Sequence, residues 1–427
     1  MTSPLMPTYQ PPPVTFVRGE GSYLFDDGGR RYLDCLSGLA VTSLGHAHPA
    51  VAQALHDQAS TLLHVSNLFG TEPGPGVART LDRLVGDGEP AGGQVFFCNS
   101  GAEANECAIK LARRYGARGR TNARPGPRHA LRSHGRSGRG SGRNTPKPER
   151  PGAAGAKSGK HVGRHVVVSA YGSFHGRTLA TLHATGQPAK HEPFQPLPEG
   201  FRHVAWDDLD ALAAALDPEV AAVLLEAVQG EGGVNPASRD YFQGVRRLCD
   251  ERGVLLVVDE VQTGLGRTGR WFGFQHLGVR PDVVTIAKAL GNGVPIGACW
   301  ARADVASVFE PGDHATTFGG QPLATAAARA VLAVMEAEDV PARAARAGAR
   351  FRERLEALPS VASVRGLGLL LAVELSGRDA RDVNRALLDT GVVANAVTPT
   401  ALRLAPSLLI SDDEIDEATT IIEKVLQ

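Results

Sequence analysis

The sequence predicts an α/β protein with a large domain built on a mainly parallel sheet and a small α+β domain. Three observations carry this expectation. Positions 166–310 alternate short apolar runs with helical segments, the pattern of βα units. Within them, Val254–Val258 is five apolar residues in a row, which suits a central parallel strand covered on both faces. The 427 residues suffice for two domains with sizeable cores.

The elements follow in order. Val14–Leu36 carries short alternating patterns around turns at Gly19–Gly21 and Asp26–Gly29, which suits hairpin strands. Positions 50–115 read as mainly helical, with one strand at Val95–Cys98. Pro311–Gly320 reads as a loop and Gln321–Ala337 as a long Ala-rich helix. Val361–Leu375 and Asp412–Leu426 suggest the small α+β domain. The expected division is 1–60 as an N-terminal segment, 61–310 as the large domain, and 311–427 as an interface loop with the small domain.

Composition narrows the function. The 45 basic and 45 acidic side chains balance, so nothing global points to nucleic acid or membrane. No apolar run reaches a membrane-spanning length. The N-terminus lacks the basic and apolar regions of a signal peptide. Cys35, Cys98, Cys107, Cys249 and Cys299 have no metal-ligand spacing and read as reduced thiols of a cytoplasmic protein; no metal is expected. Cys98 and Cys107 are taken as packing residues.

The chemistry lies at the ends of two strands. The run Val254–Val258 stops at Asp259 and Glu260, where open α/β sheets bind ligands. A second apolar run, Val283–Ala287, ends at Lys288. An acid and a lysine so placed suit pyridoxal phosphate (PLP): the lysine forms a Schiff base and the acid keeps the pyridine nitrogen protonated. The stretches DEVQTGLGRTG, IAKALGNGVPIGA, FFCNSGAEANECAIKLAR and TTFGGQPLA stand in one chain. Together they resemble a class III aminotransferase, in its acetylornithine aminotransferase branch. Apart from one insertion, the resemblance runs from about Pro12 to the C-terminus.

Part of the site also follows from the residues. Cys98–Glu106 lies between a strand and a helix, and the amides of Gly101 and Ala102 would face a phosphate at the helix N-terminus. A plain Ser/Asn cap is the other reading of that motif. The resemblance implies the remaining roles. It implies PLP fold type I, with the N-terminal segment completing the small domain. Phe174 stacks on the pyridine ring, with Val261 on the other face. Gln262 bonds the ring O3′, and Glu260 stands with the cofactor-binding residues beside Asp259. Lys288 also moves the substrate proton. Thr317 reaches the phosphate of the other subunit of a homodimer, and Thr316 touches substrate. Arg177 grips a substrate carboxylate; a surface ion pair is its alternative. Glu231 and Arg403 form a gate, in which Glu231 neutralises Arg403 until an α-carboxylate needs it; a static salt bridge is the alternative.

The implied reaction transfers an amino group from N2-acetyl-L-ornithine to 2-oxoglutarate, giving N-acetyl-L-glutamate 5-semialdehyde and L-glutamate, in arginine biosynthesis. Leu39 stands where ornithine-δ-aminotransferase-like sequences carry a tyrosine, which favours an acylated donor. Succinyl-ornithine, N-succinyl-diaminopimelate, ornithine and 4-aminobutyrate remain alternatives, as does an inactive PLP-binding homologue.

One segment departs from the resemblance. Thr121–Arg164 holds eight Arg, three Lys and one Glu, with only Leu131 and Val162 as sizeable aliphatics. Such a segment cannot offset its ordering entropy by burial, so it is expected to be disordered. It reads as an insertion, with an electrostatic RG-rich arm as the alternative. Excising it, with Arg120 joined to His165, is expected to give a soluble dimer with equal or higher kcat/KM. The gain in stability from the shorter loop is at most about 1–2 kcal/mol. Melting temperature and kcat/KM of the two proteins check this; unfolding or loss of PLP after excision contradicts it.

Overall fold

The structure is a computed structural model that describes residues 4–118 and 163–427. The expectation for 121–164 therefore lies outside the described residues, apart from Gly163 and Arg164.

The chain opens with antiparallel strands β1 (Phe16–Glu20), β2 (Tyr23–Asp26) and β3 (Arg31–Asp34), as the alternating pattern predicts. β4 (Gly93–Cys98) runs into the helix Gly101–Arg118. Then come β5 (Val166–Ala170), β6 (Phe201–Val204) and β7 (Val220–Glu226). A two-residue pair, β8 (Val228–Gln229) and β9 (Asn235–Pro236), closes the turn that carries Glu231. β10 (Leu255–Asp259), β11 (Val283–Ile286) and β12 (Gly297–Arg302) follow. The C-terminal strands are β13 (Val361–Leu367), β14 (Leu370–Leu375), β15 (Val392–Val393), β16 (Asn395–Ala396) and β17 (Ala401–Leu404).

A seven-stranded sheet in the order β4-β12-β11-β10-β7-β5-β6 forms the centre. β10 pairs in parallel with both β7 and β11. Only β12 runs against its neighbours, β11 and β4. Every residue of β7, β10 and β11 is buried, which explains runs that are apolar throughout instead of alternating. Leu255 and Val257 join one packed cluster with Cys107, Leu111 and Ala112 of the helix Gly101–Arg118. Leu256 and Val258 join the other, with Phe242, Val245 and Cys249 of the helix Arg239–Arg252. Each such side chain contributes about 1.5–3 kcal/mol of burial. All five cysteines are buried and free.

The strands β13-β14-β17-β16 form a second, antiparallel sheet. β15 adds to β3 in parallel, so the N-terminal hairpin completes its sheet with a strand from the far end of the chain. Arg267, in the loop after β10, ties these parts together. Fully buried, it donates to Leu369 O at 3.1 Å, Pro406 O at 2.6 Å and Ser43 Oγ at 3.3 Å. Desolvation pushes its pKa down to about 9.

Candidate active site

A cavity of about 390 Å³ opens at the carboxyl ends of β10 and β11. Gly101, Ala102, Phe174, Arg177, Glu231, Asp259, Val261, Gln262 and Lys288 all line it. Residues far apart in sequence are thus brought to one place.

Asp259 is the last residue of β10 and is buried. Its Oδ2 accepts from Asn105 Nδ2 at 2.7 Å and faces His175 Nδ1 at 2.9 Å, while Oδ1 accepts from the Val261 amide at 3.0 Å. Asn105 is held in turn by the Thr285 hydroxyl at 2.7 Å. Sequence reasoning did not assign Asn105 or His175, although Asn105 lies inside a quoted motif and His175 lies between Phe174 and Arg177.

Ser100 caps the helix Gly101–Arg118: Glu103 N donates to its Oγ at 3.2 Å, and Glu103 reaches back to the Asn99 amide at 2.6 Å. The amides of Gly101 and Ala102 donate to no described residue. The cap and the open anion site therefore coexist. Gly101 is needed for packing too, since a Cβ there would meet Val261 Cγ1 at 2.7 Å.

Lys288 follows β11 with φ +45°, a left-handed conformation that a lysine adopts only under constraint. Its ammonium donates no hydrogen bond to a described residue. Burial and Arg403 push its pKa down, against the opposing pull of Glu231, Asp259 and Glu226.

Arg403 sits on β17 and reaches the cavity rim from outside. Its Nη1 donates to Glu231 Oε1 at 2.5 Å and to Gln262 Oε1 at 3.3 Å, and its Nη2 to Asn395 Oδ1 at 2.9 Å. Burial works against ionisation of Glu231, but Arg403, Lys288 and Gln262 outweigh it and hold the carboxyl below its usual range. The arginine is 2% exposed and the glutamate 27%, so the acid is the partner with room to move.

Three predicted residues lie elsewhere. The Glu260 side chain turns away from the cavity. It accepts from Thr263 Oγ1 at 2.5 Å, the Gly273 amide at 2.9 Å and the Phe274 amide at 2.8 Å. Desolvation raises its pKa to about 7 against those donors. Its carboxylate therefore fastens a turn instead of facing the cavity, because adjacent residues of a strand point to opposite sides. Thr316 and Thr317 line a separate groove of about 780 Å³ with His64 and Asn67. Glu226, absent from the sequence reading, does line the Lys288 cavity. Burial and the neighbouring Asp259 raise its pKa well above the carboxylate range.

The family Aminotransferase class-III matches residues 5–426. The chain belongs to the class III aminotransferases. That family is PLP-dependent, and its fold is PLP fold type I, as expected from the motifs. The chain is 45% identical over 426 residues to the acetylornithine aminotransferase of Gloeobacter violaceus, covering 99% of this chain and 95% of that protein. It superposes on the ornithine aminotransferase of Toxoplasma gondii with a TM-score of 0.84 at 34% identity, over 99% and 92% of the two chains. For the N-acetylornithine aminotransferase of Stenotrophomonas maltophilia the TM-score is 0.75 at 33% identity, over 97% and 96%.

The orientation of Glu260 makes a test. Glu260→Gln is expected to leave kcat of this aminotransferase within about threefold, while weakening hydrogen bonds at the Gly273–Phe274 turn by about 1–3 kcal/mol. Urea unfolding and steady-state assays on one preparation check both halves. A large loss of kcat with unchanged stability would place the carboxylate in the cavity after all.

Proposed function

We propose that the chain transfers the amino group of N2-acetyl-L-ornithine to 2-oxoglutarate with PLP as cofactor, yielding N-acetyl-L-glutamate 5-semialdehyde and L-glutamate. The observation that carries this reading is the Arg403–Glu231 pair at the rim of the Lys288 cavity. A site that takes two substrates of different charge needs a cation that can be neutralised for one and released for the other. The donor is supported by the relatives' names and by Leu39, which offers no hydrogen bond to a free amino-acid head group.

The residues present fit the cofactor. Two helix-terminal amides and one lysine ammonium have no acceptor among the described residues, and a buried carboxylate faces the same space. Bound there, PLP would supply the electron sink for the carbanion left when the substrate loses its proton. The amides of Gly101 and Ala102 would hold the phosphate. Asp259, aimed by Asn105 and His175, would hold a proton on the pyridine nitrogen. Phe174 and Val261 would flank the ring, and Gln262 would donate to its O3′. Lys288 would hold the cofactor and carry the proton away from the substrate carbon. Arg177 would take the donor's carboxylate, and Thr316 of the partner subunit would lie beside the substrate.

We also read a homodimer in which Thr317 of the partner subunit completes the phosphate site. Thr317 is exposed here, and Leu68, Phe69 and Phe318 are exposed apolar residues in the same region. The division into 1–60, 61–310 and 311–427 belongs to the same reading. No helix among the described residues is long and apolar enough to cross a membrane. The cytoplasm suits a chain whose five cysteines are all free.

A donor panel with 2-oxoglutarate tests the reaction. N2-acetylornithine is expected to exceed ornithine and 4-aminobutyrate in kcat/KM by at least about tenfold, with Lys288→Ala inactive. Near-normal activity of that variant would refute the lysine assignment, and preference for another donor would refute the substrate.

Glu231→Gln tests the gate. With Arg403 no longer neutralised, glutamate should react relatively faster and N2-acetylornithine relatively slower. Stopped-flow half-reactions give the ratio directly. An unchanged ratio means that the pair is a static salt bridge.

A further inference from the structure

Phe174, which lines the cavity, has a second cation near its ring besides Arg177. The guanidinium carbon of Arg177 lies 5.5 Å from the centre of the Phe174 ring, and the ammonium of Lys190 lies 5.2 Å from the same centre. Neither side chain donates a hydrogen bond to, or closes an ion pair with, a described residue. Burial and the charge of Arg177 lower the pKa of Lys190, and Glu231 opposes them. Lys190 therefore feels both Arg177 and Glu231, the residues at the substrate end of the site.

The position of Lys190 is fixed by the segment that places Phe174. Pro188–Lys190 is a single 3-10 turn. The Lys190 amide donates to Gln187 O at 2.9 Å, and Gln187 Nε2 donates to Ser173 O at 2.9 Å. The Gly186 amide donates to Ser173 Oγ at 3.0 Å. His191 faces Thr185 O through Nε2 at 2.6 Å. Ser173 precedes Phe174, so the turn that carries Lys190 is hydrogen-bonded to the residue before the ring.

Two like charges near one ring repel each other, and Glu231 is the acid that opposes this at Lys190. A ligand bearing one carboxylate and one carbonyl oxygen would satisfy both. A ligand with a free ammonium beside its carboxylate would meet two positive charges. Acylation removes that ammonium and supplies the carbonyl. Leu39, 38% exposed, adds no acceptor that could hold an ammonium.

We propose that Lys190 selects N2-acylated donors: it donates to the acyl carbonyl while Arg177 takes the α-carboxylate, and together they exclude the free α-ammonium. This rests on the acylated-donor reading above and adds the residue that enforces it. Lys190 is a specificity residue and takes no part in proton transfer.

The test compares Lys190→Met with wild type on three donors: N2-acetylornithine, ornithine, and 5-aminopentanoate, which has the same carboxylate and reacting amine but no α-substituent. Lys190→Met should cut kcat/KM for N2-acetylornithine about tenfold through KM, the scale of one lost charged hydrogen bond. It should leave 5-aminopentanoate nearly unchanged and improve ornithine. Lys190→Arg should restore the acylated donor. Parallel losses with N2-acetylornithine and 5-aminopentanoate would overturn the proposal, since Lys190 would then serve the carboxylate alone. Unchanged selectivity in Lys190→Met would overturn it too, while leaving the donor reading intact. A wild-type enzyme that is indifferent to the acyl group would sink both.

Discussion

The carboxylate of Asp259 is the constraint from which the site is built. A buried carboxylate is costly unless it is hydrogen-bonded on several sides. Here the donors come from separate stretches of chain. Asn105 belongs to the helix after β4, His175 to the loop after β5, and Val261 to the turn after β10 itself. Asn105 also donates to His175 O at 2.8 Å and accepts from Thr285 of β11. Each of these segments carries a residue that lines the cavity: Ala102, Phe174, Gln262 and Lys288. Satisfying one buried charge therefore sets the relative positions of all four.

The acids around it show how environment divides similar groups. Glu226 lies directly across from Asp259 in the β7–β10 register. Two ionised carboxylates cannot share a dry corner at low cost, and burial together with Asp259 drives Glu226 toward its neutral form. As a neutral group it can still accept from the Phe174 amide at 3.1 Å, which helps to orient that ring. Glu231 goes the other way, because Arg403 stands beside it. Glu260 is held by the donors of a turn and lies outside the cavity. The chemistry of this region follows from which partner each carboxyl meets, since the groups themselves are alike.

What could be read from the sequence was what depends on local pattern. Unbroken apolar runs announced β10 and β11, and the acid pair and lysine at their ends marked the candidate site. The Ser100 cap and the open amides of Gly101 and Ala102 were also visible, because strand-to-helix turns have a local signature. Other features depend on register, which no single segment encodes. The reversal of β12 is one. The choice of Asn105 and His175 as partners of Asp259 is another. Glu260 was grouped with its neighbour because the two are adjacent, yet the alternation of a strand separates them. The φ of Lys288 was not legible at all, since nothing in the residues Ala-Lys-Ala calls for a left-handed turn.

That turn persists because its surroundings over-determine it. Asn292, four residues on, accepts from the Leu44 amide at 2.7 Å and donates to Gly45 O at 3.0 Å, pinning the loop to the N-terminal segment. Strain held in this way costs about 1–3 kcal/mol and is found where a side chain must be aimed. The aimed side chain stands in the field of a nearly neutral pair. Glu231 raises the pKa of Lys288 and Arg403 lowers it, so burial decides the direction while the two stay together. The Glu231–Arg403 ion pair is thus also tied electrostatically to Lys288.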